Sequence, residues 1–201
     1  MIVGVLAVQG DFAEHITLLR SMGVAMREVR SMKDLNGVDH LIIPGGESTV
    51  MAKFLRDTGL WVEIRRRAGE KGKEEKEGKE GRDRLRGIYG TCAGAILLAK
   101  EVTGGGKITP LGLIDISIER NAYGTQRDSF EAKIHIRGVR LPVPVAFIRA
   151  PQITRVGKGV EVLAAWKGDP VLVRQGCILA GTFHPEVRGE RAIHRMFLRL
   201  E

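Results

Sequence analysis

Between residues 87 and 99 the chain turns straight from a strand into a helix, with a cysteine at the corner. Gly87-Ile88-Tyr89 is a short apolar strand and Gly90-Thr91-Cys92-Ala93-Gly94 is the corner. The run that follows, Ala95-Ile96-Leu97-Leu98-Ala99, predicts a helix over 93–100. Gly-x-Cys-x-Gly is the thiol counterpart of the Gly-x-Ser-x-Gly elbow that lifts a nucleophile onto a sharp strand-to-helix turn. The glycines serve because neighbouring backbone passes close by and the turn wants dihedrals that a Cβ resists. A thiol at a helix start also feels the positive end of the peptide dipoles, which favours thiolate. A buried structural cysteine ahead of a helix is the plainer alternative.

A base for that thiol comes from the other end of the chain. Residues 176–183 read as an apolar strand that delivers His184-Pro185-Glu186. The residue before a proline is pushed toward extended geometry. In extended chain, side chains two apart project to the same side, so Glu186 can hold one nitrogen of His184 while the other faces outward. The base and its orienting group would then stand at a strand's carboxyl end, where open α/β sheets place their chemistry. Four other histidines compete. His15 and His194 fall within helical patterns, His40 opens a strand and His135 lies in an alternating strand, and none has a carboxylate two residues on.

A third segment fits the same chemistry. His40-Leu41-Ile42-Ile43-Pro44 is an apolar strand followed by Gly45-Gly46-Glu47-Ser48-Thr49 and a helical pattern. Consecutive glycines after a strand present free N–H groups to a negative group. In a cysteine acyl-transfer site that group is the oxyanion of a tetrahedral intermediate, shared with the N–H of Ala93. The alternative is a plain strand-to-helix turn with Ser48 as the helix cap.

Pro44-Gly45-Gly46-Glu47-Ser48, Gly90-Thr91-Cys92-Ala93-Gly94 and Phe183-His184-Pro185-Glu186 together resemble the class I (triad) glutamine amidotransferases. Val8-Gln9-Gly10, Glu119-Arg120-Asn121-Ala122-Tyr123-Gly124 and Phe147-Ile148-Arg149-Ala150-Pro151 narrow the resemblance to the glutaminase subunits of pyridoxal 5′-phosphate synthase. It runs nearly end to end, apart from one insertion. The resemblance implies that Cys92 is the nucleophile, with His184 and Glu186 completing a triad, and that Gly46 and Ala93 donate to the oxyanion. It assigns glutamine binding to Gly46, Glu47, Ser48, Arg120, Ile148 and Arg149. Free glutamine carries an α-carboxylate and an α-ammonium, and an arginine fork suits the former. The implied partner is a separate synthase subunit in a large hetero-oligomer, which receives the ammonia. No metal or organic cofactor is implied. Three alternatives stay open: the glutaminase of another amidotransferase, such as imidazole glycerol phosphate synthase; a related α/β cysteine hydrolase; and a non-catalytic regulatory relative.

The 201 residues suit one compact domain, since roughly 100–200 is usual. Two cysteines rule out a disulfide scaffold or a multi-cysteine zinc site. The first strand is too short and uncharged at its start for a signal peptide, and no apolar run approaches the roughly 20 residues of a membrane span. A cytoplasmic protein is expected. The net charge of +8 raises the question of nucleic acid. Half of that excess is local: residues 65–86 hold ten basic residues against six acidic ones. Residues 69–84 lack any aliphatic or aromatic side chain and carry recurrent glycines, so they read as a charged, mobile insertion. Without aromatics for base stacking or a binding-fold signature, neither nucleic acid nor membrane is an expected partner.

Elsewhere strands at 2–8, 24–29 and 41–43 alternate with helices at 12–22, 48–58 and 61–68. After Gly104-Gly105-Gly106 the texture turns strand-rich, with strands at 112–119, 130–136, 145–148, 160–166, 171–174 and 178–183 and a last helix at 190–200. The fold class is α/β: a doubly wound, mostly parallel sheet with an added antiparallel, strand-rich portion.

Overall fold

The computed structural model describes residues 1–69, 84–120 and 129–200. The first half alternates as expected: β1 (Ile2–Leu6), α1 (Phe12–Ser21), β2 (Ala25–Val29), β3 (His40–Ile43), α2 (Ser48–Asp57), α3 (Leu60–Arg67), β4 (Gly87–Thr91) and α4 (Ala93–Leu98). The second half adds β5 (Ala99–Thr103), β6 (Ile114–Glu119), β7 (Phe130–Ile134), β8 (Val143–Phe147), β9 (Gln152–Val156), β10 (Glu161–Trp166), β11 (Asp169–Gln175), β12 (Ile178–Gly181) and α5 (Ala192–Phe197).

Seven strands form the main sheet in the order β10-β11-β12-β4-β3-β1-β2. β2, β1, β3, β4 and β12 run parallel, while β11 is antiparallel to β12 and β10 antiparallel to β11. The central strands β3, β4 and β12 are buried along their whole length, and so carry continuous apolar runs. Side chains alternate across the sheet: Leu41 and Ile43 enter one core, Ile42 the other. The first core lies with Met51 and Leu55 of α2, Leu98 of α4 and Ile116 of β6; the second gathers Leu19, Tyr89, Phe147, Phe183 and Phe197. From β1 the order runs to β2 on one side and to β3 on the other. That reversal opens a crevice above the carboxyl ends of β1 and β3, the usual ligand position in such sheets.

Several expected boundaries move. The helix after the cysteine ends at Leu98, not at residue 100, because Ala99 turns extended (φ −60°, ψ 151°) and begins β5, which pairs parallel with β6. β9 was not expected at all. It pairs antiparallel with β6, held by the Arg155 guanidinium, which donates to Asp115 at 2.8 Å and to Ser117 Oγ at 2.9 Å. The cap of α2 is Glu47, not Ser48: its carboxylate accepts from the N–H groups of Thr49 (3.0 Å) and Val50 (2.8 Å). Ser48 is instead the buried first residue of the helix. Apart from Gly69 and Arg84, the insertion expected at 69–84 lies outside the described residues. Among the described residues no helix is long and apolar enough to cross a membrane.

Candidate active site

Cys92 directly follows β4, the middle strand of the main sheet, and is the N-cap residue of α4. Its N–H donates to the Gly181 carbonyl at 2.8 Å, which ties the corner to β12. Its backbone sits at φ 47°, ψ −103°, a conformation that costs a non-glycine residue on the order of 1–3 kcal/mol. Gly94, two residues on, lies so close to the Ile43 carbonyl of β3 that a Cβ would occupy the oxygen's place. Strain at the thiol and a glycine beneath it are what an elbow requires. Cys92 is 8% exposed, and its thiol donates to the Ile148 carbonyl at 3.8 Å.

His184 follows β12 and is pinned by a pair of backbone bonds to Ala146 of β8, at 2.7 and 3.2 Å. Its Nδ1 stands 2.8 Å from Glu186 Oε1 and 3.1 Å from Asp11 Oδ2. The route to Glu186 differs from the expected extended chain. Pro185 is helical (φ −74°, ψ −29°) and Glu186 starts a single 3-10 turn, so the carboxylate is folded back onto the ring. Burial presses the His184 pKa down, but hydrogen bonds with Asp11, Cys92 and Glu186 outweigh it and hold it up to about 12. An imidazolium beside the thiol is therefore the favoured state. Burial raises the Glu186 pKa, opposed by its bond to His184.

Behind the pair lies a buried polar layer. His15 Nδ1 is 2.9 Å from His194 Nε2, and His15 Nε2 is 3.2 Å from Thr91 Oγ1 and 3.5 Å from Glu186 Oε1. Burial, with the nearby charges of His194 and His184, drives the His15 pKa well down. Burial likewise takes His194 to about 4. Both rings are neutral. Asp11 has no motif of its own, and His15 and His194, set aside above as histidines of helical patterns, join the site only through the fold. One signal was available: Asp11 and His15 stand four apart and so share a helix face.

The other assigned residues gather around the crevice. Gly46 follows β3 at φ 147°, where a Cβ would meet the Gln9 carbonyl at 3.3 Å. Ala93, buried, opens α4, and the first N–H groups of a helix have no intrahelical acceptor. Arg120 reaches the same loop: its guanidinium donates to Glu47 Oε1 at 3.4 Å, to Thr49 Oγ1 at 3.3 Å and to the Gly106 carbonyl at 3.2 Å. Ile148 and Arg149 follow β8; both are exposed, and Arg149 holds a left-handed φ of 45°. Residues 121–124 of the Glu119–Gly124 motif lie outside the described residues. Donor atoms of Asp11, His184 and Glu186 all lie within 4.8 Å of one another, a grouping that invites a metal. The separations of 2.8 and 3.1 Å at Nδ1 are ordinary hydrogen-bond lengths, as expected for one imidazole N–H between two carboxylates.

The chain matches the SNO glutamine amidotransferase family over residues 5–200. It is 48% identical over 200 residues to the pyridoxal 5′-phosphate synthase subunit PdxT of Mycolicibacterium vanbaalenii, covering 98% of this chain and 95% of that one. Identity to the subunit of the same name from Thermus thermophilus is 47% over 199 residues, covering 99% and 97%. A solved structure described as a glutamine amidotransferase superposes with a TM-score of 0.87 at 45% identity, covering 98% of this chain and 97% of that one. The structure of PurLQS from Thermotoga maritima shares the fold, with a TM-score of 0.58 at 16% identity over 98% of this chain and 90% of that one.

Proposed function

The chain belongs to the SNO glutamine amidotransferase family, and we propose that Cys92, His184 and Glu186 hydrolyse L-glutamine to L-glutamate and ammonia as the glutaminase subunit of pyridoxal 5′-phosphate synthase. The observation that carries this reading is the placement of a strained thiol and a carboxylate-held imidazole at the carboxyl ends of adjacent parallel strands.

The Cys92 thiolate attacks the side-chain amide carbon, and the carbonyl oxygen becomes an oxyanion held by the N–H groups of Gly46 and Ala93. His184, as imidazolium, gives a proton to the amide nitrogen; the C–N bond breaks and ammonia leaves. The neutral ring then takes a proton from water as the oxygen attacks the thioester. Collapse of that second intermediate releases glutamate and restores thiolate and imidazolium. Glu186 keeps Nδ1–H oriented throughout, so that Nε2 serves the reaction.

Arg120 and Glu47 bring a cation and an anion to one side of the crevice, matching the α-carboxylate and α-ammonium of free glutamine. Gly46, Ser48, Ile148 and Arg149 complete the pocket in this reading. Ammonia passes to a separate synthase subunit within a large hetero-oligomer, and residues 1–201 act as a single domain. Pyridoxal phosphate is then the partner's product and not a cofactor of this chain.

The test is glutamate release in the presence of the synthase. Cys92→Ala should abolish it and leave the fold intact, while Cys177→Ala should retain it. Turnover by Cys92→Ala would remove the thiol from the mechanism.

A further inference from the structure

Asp11 occupies the N-cap of α1, where an aspartate ordinarily accepts a hydrogen bond from the N–H two or three residues on. It makes no such bond. Its carboxylate turns instead to His184, with Oδ2 at 3.1 Å from the Nδ1 that Glu186 Oε1 approaches at 2.8 Å. One imidazole N–H therefore faces two carboxylates from opposite ends of the chain. The Asp11 backbone is tied in as well: its N–H donates to the Gly45 carbonyl at 3.4 Å. Gly45 completes the arrangement, because a Cβ there would strike the His184 ring and sit 2.8 Å from Asp11 Oδ2.

We propose that Asp11 is a positioning residue for the reaction, a second carboxylate that holds the His184 ring toward Cys92, favours its protonated form, and links it to the loop carrying Gly45 and Gly46. The proposal rests on His184 being the acid and base, and adds to that reading a partner for the ring. Glu186 is buried and fixed in the fold, whereas Asp11 is partly exposed and rides on a loop. The two are thus not duplicates. Glu186 sets the ring's orientation from within; Asp11 makes its proton affinity depend on where the loop at residues 9–11 stands. The Asp11 carboxylate is itself more acidic than usual, chiefly through its bond to His184, so it carries a full negative charge at neutral pH. The other titratable groups near the ring are Cys92 of the elbow, Glu186 of the 3-10 turn and His15 of α1, the last neutral.

Asp11→Asn removes the charge and keeps the shape, and no helix cap is lost because none is made. Two measurements on the full chain separate the roles. The first follows the His184 ring by NMR titration in a Cys92→Ala background, where no thiolate lies beside it. Adding Asp11→Asn should lower its midpoint by about one pH unit or more, as loss of an adjacent opposite charge does. The second is the pH profile of kcat/KM with the synthase present: Asp11→Asn should move the alkaline limb to lower pH. An unmoved ring titration overturns the proposal, as does a loss of rate that is uniform at every pH. The first measurement needs no turnover, so it is independent of whether this chain hydrolyses glutamine. Failure of that reading would show instead as glutamate release surviving Cys92→Ala.

Discussion

At the scale of single residues, the proposed chemistry rests on Cys92 at its strained corner and on His184 between the carboxylates of Glu186 and Asp11. Cys92 announced itself through the glycines around it, and His184 with Glu186 through a spacing of two. The contacts of His15 were not legible, because its ring meets His194 across 179 residues of sequence and only the folded sheet brings the two helices together. Asp11 was hidden for a different reason: before a helix, an aspartate reads as a cap, and only the side-chain direction reveals otherwise. The two arginines proposed to bind glutamine can be tested one by one. Arg120→Met or Arg149→Met keeps bulk and removes the cation. A hydrogen bond to a charged group is worth about 1.5–3 kcal/mol, so KM for glutamine should rise roughly 10- to 100-fold with kcat little changed. Steady-state kinetics with the synthase present decide it, and unchanged KM in both variants would return the two arginines to the ordinary surface.

At the scale of elements, the parallel αβ units were legible because β1, β3, β4 and β12 are largely apolar, while β2, at the edge of the sheet, mixes in Arg27 and Glu28. β5 and β9 were missed: Ala99–Thr103 and Gln152–Val156 are short, half-exposed and interrupted by charge, and their pairing to β6 is set by tertiary contacts. The loop between β3 and α2 carries the most consequence. Gly45 and Gly46 rest on residues 9–11, so their peptide answers to whatever docks on that neighbouring loop. A glycine-flanked peptide rotates at small steric cost and can present or withdraw an N–H. Loss of one oxyanion donor costs on the order of 10²–10³ in rate. The isolated chain is therefore expected to release glutamate slower than the complex by about that factor, and Gln9→Ala to blunt the activation. Assays of glutamate with and without the synthase measure it, and equal rates would rule out the switch.

At the scale of the whole molecule, two cores clamp the sheet and enclose ionisable groups whose state sets the pH range of the fold. Burial is the first cause that lowers the pKa values of His15, His40 and His194, the last to about 4. The folded chain keeps these rings neutral while the unfolded chain protonates them below about 6.5, so the unfolded state binds more protons and stability falls with pH. The loss begins near pH 6.5; for His194 it runs down to about 4 and amounts to about 3 kcal/mol. His184 shifts the other way: its contribution is fully present below about 6.5 and declines above it, so it is flat in this window. Glu186, with a raised pKa, gains a proton in the folded state and offsets part of the loss. Glu63, held near 2 chiefly by its bond to Arg66, loses its contribution only below about 4.5. Urea unfolding at pH 6.5, 5 and 4 should show a falling midpoint, and a constant one would contradict the neutral-histidine layer.

Covalent labelling tests whether Cys92 is the thiol that takes the acyl group of glutamine. The chain, assembled with its synthase, is treated with a glutamine-like electrophile, digested and mapped by mass spectrometry. The label is predicted on Cys92, suppressed by excess glutamine and absent from Cys177. Label on Cys177 alone, or an unlabelled Cys92 in a sample whose glutamine hydrolysis the reagent has stopped, would contradict it.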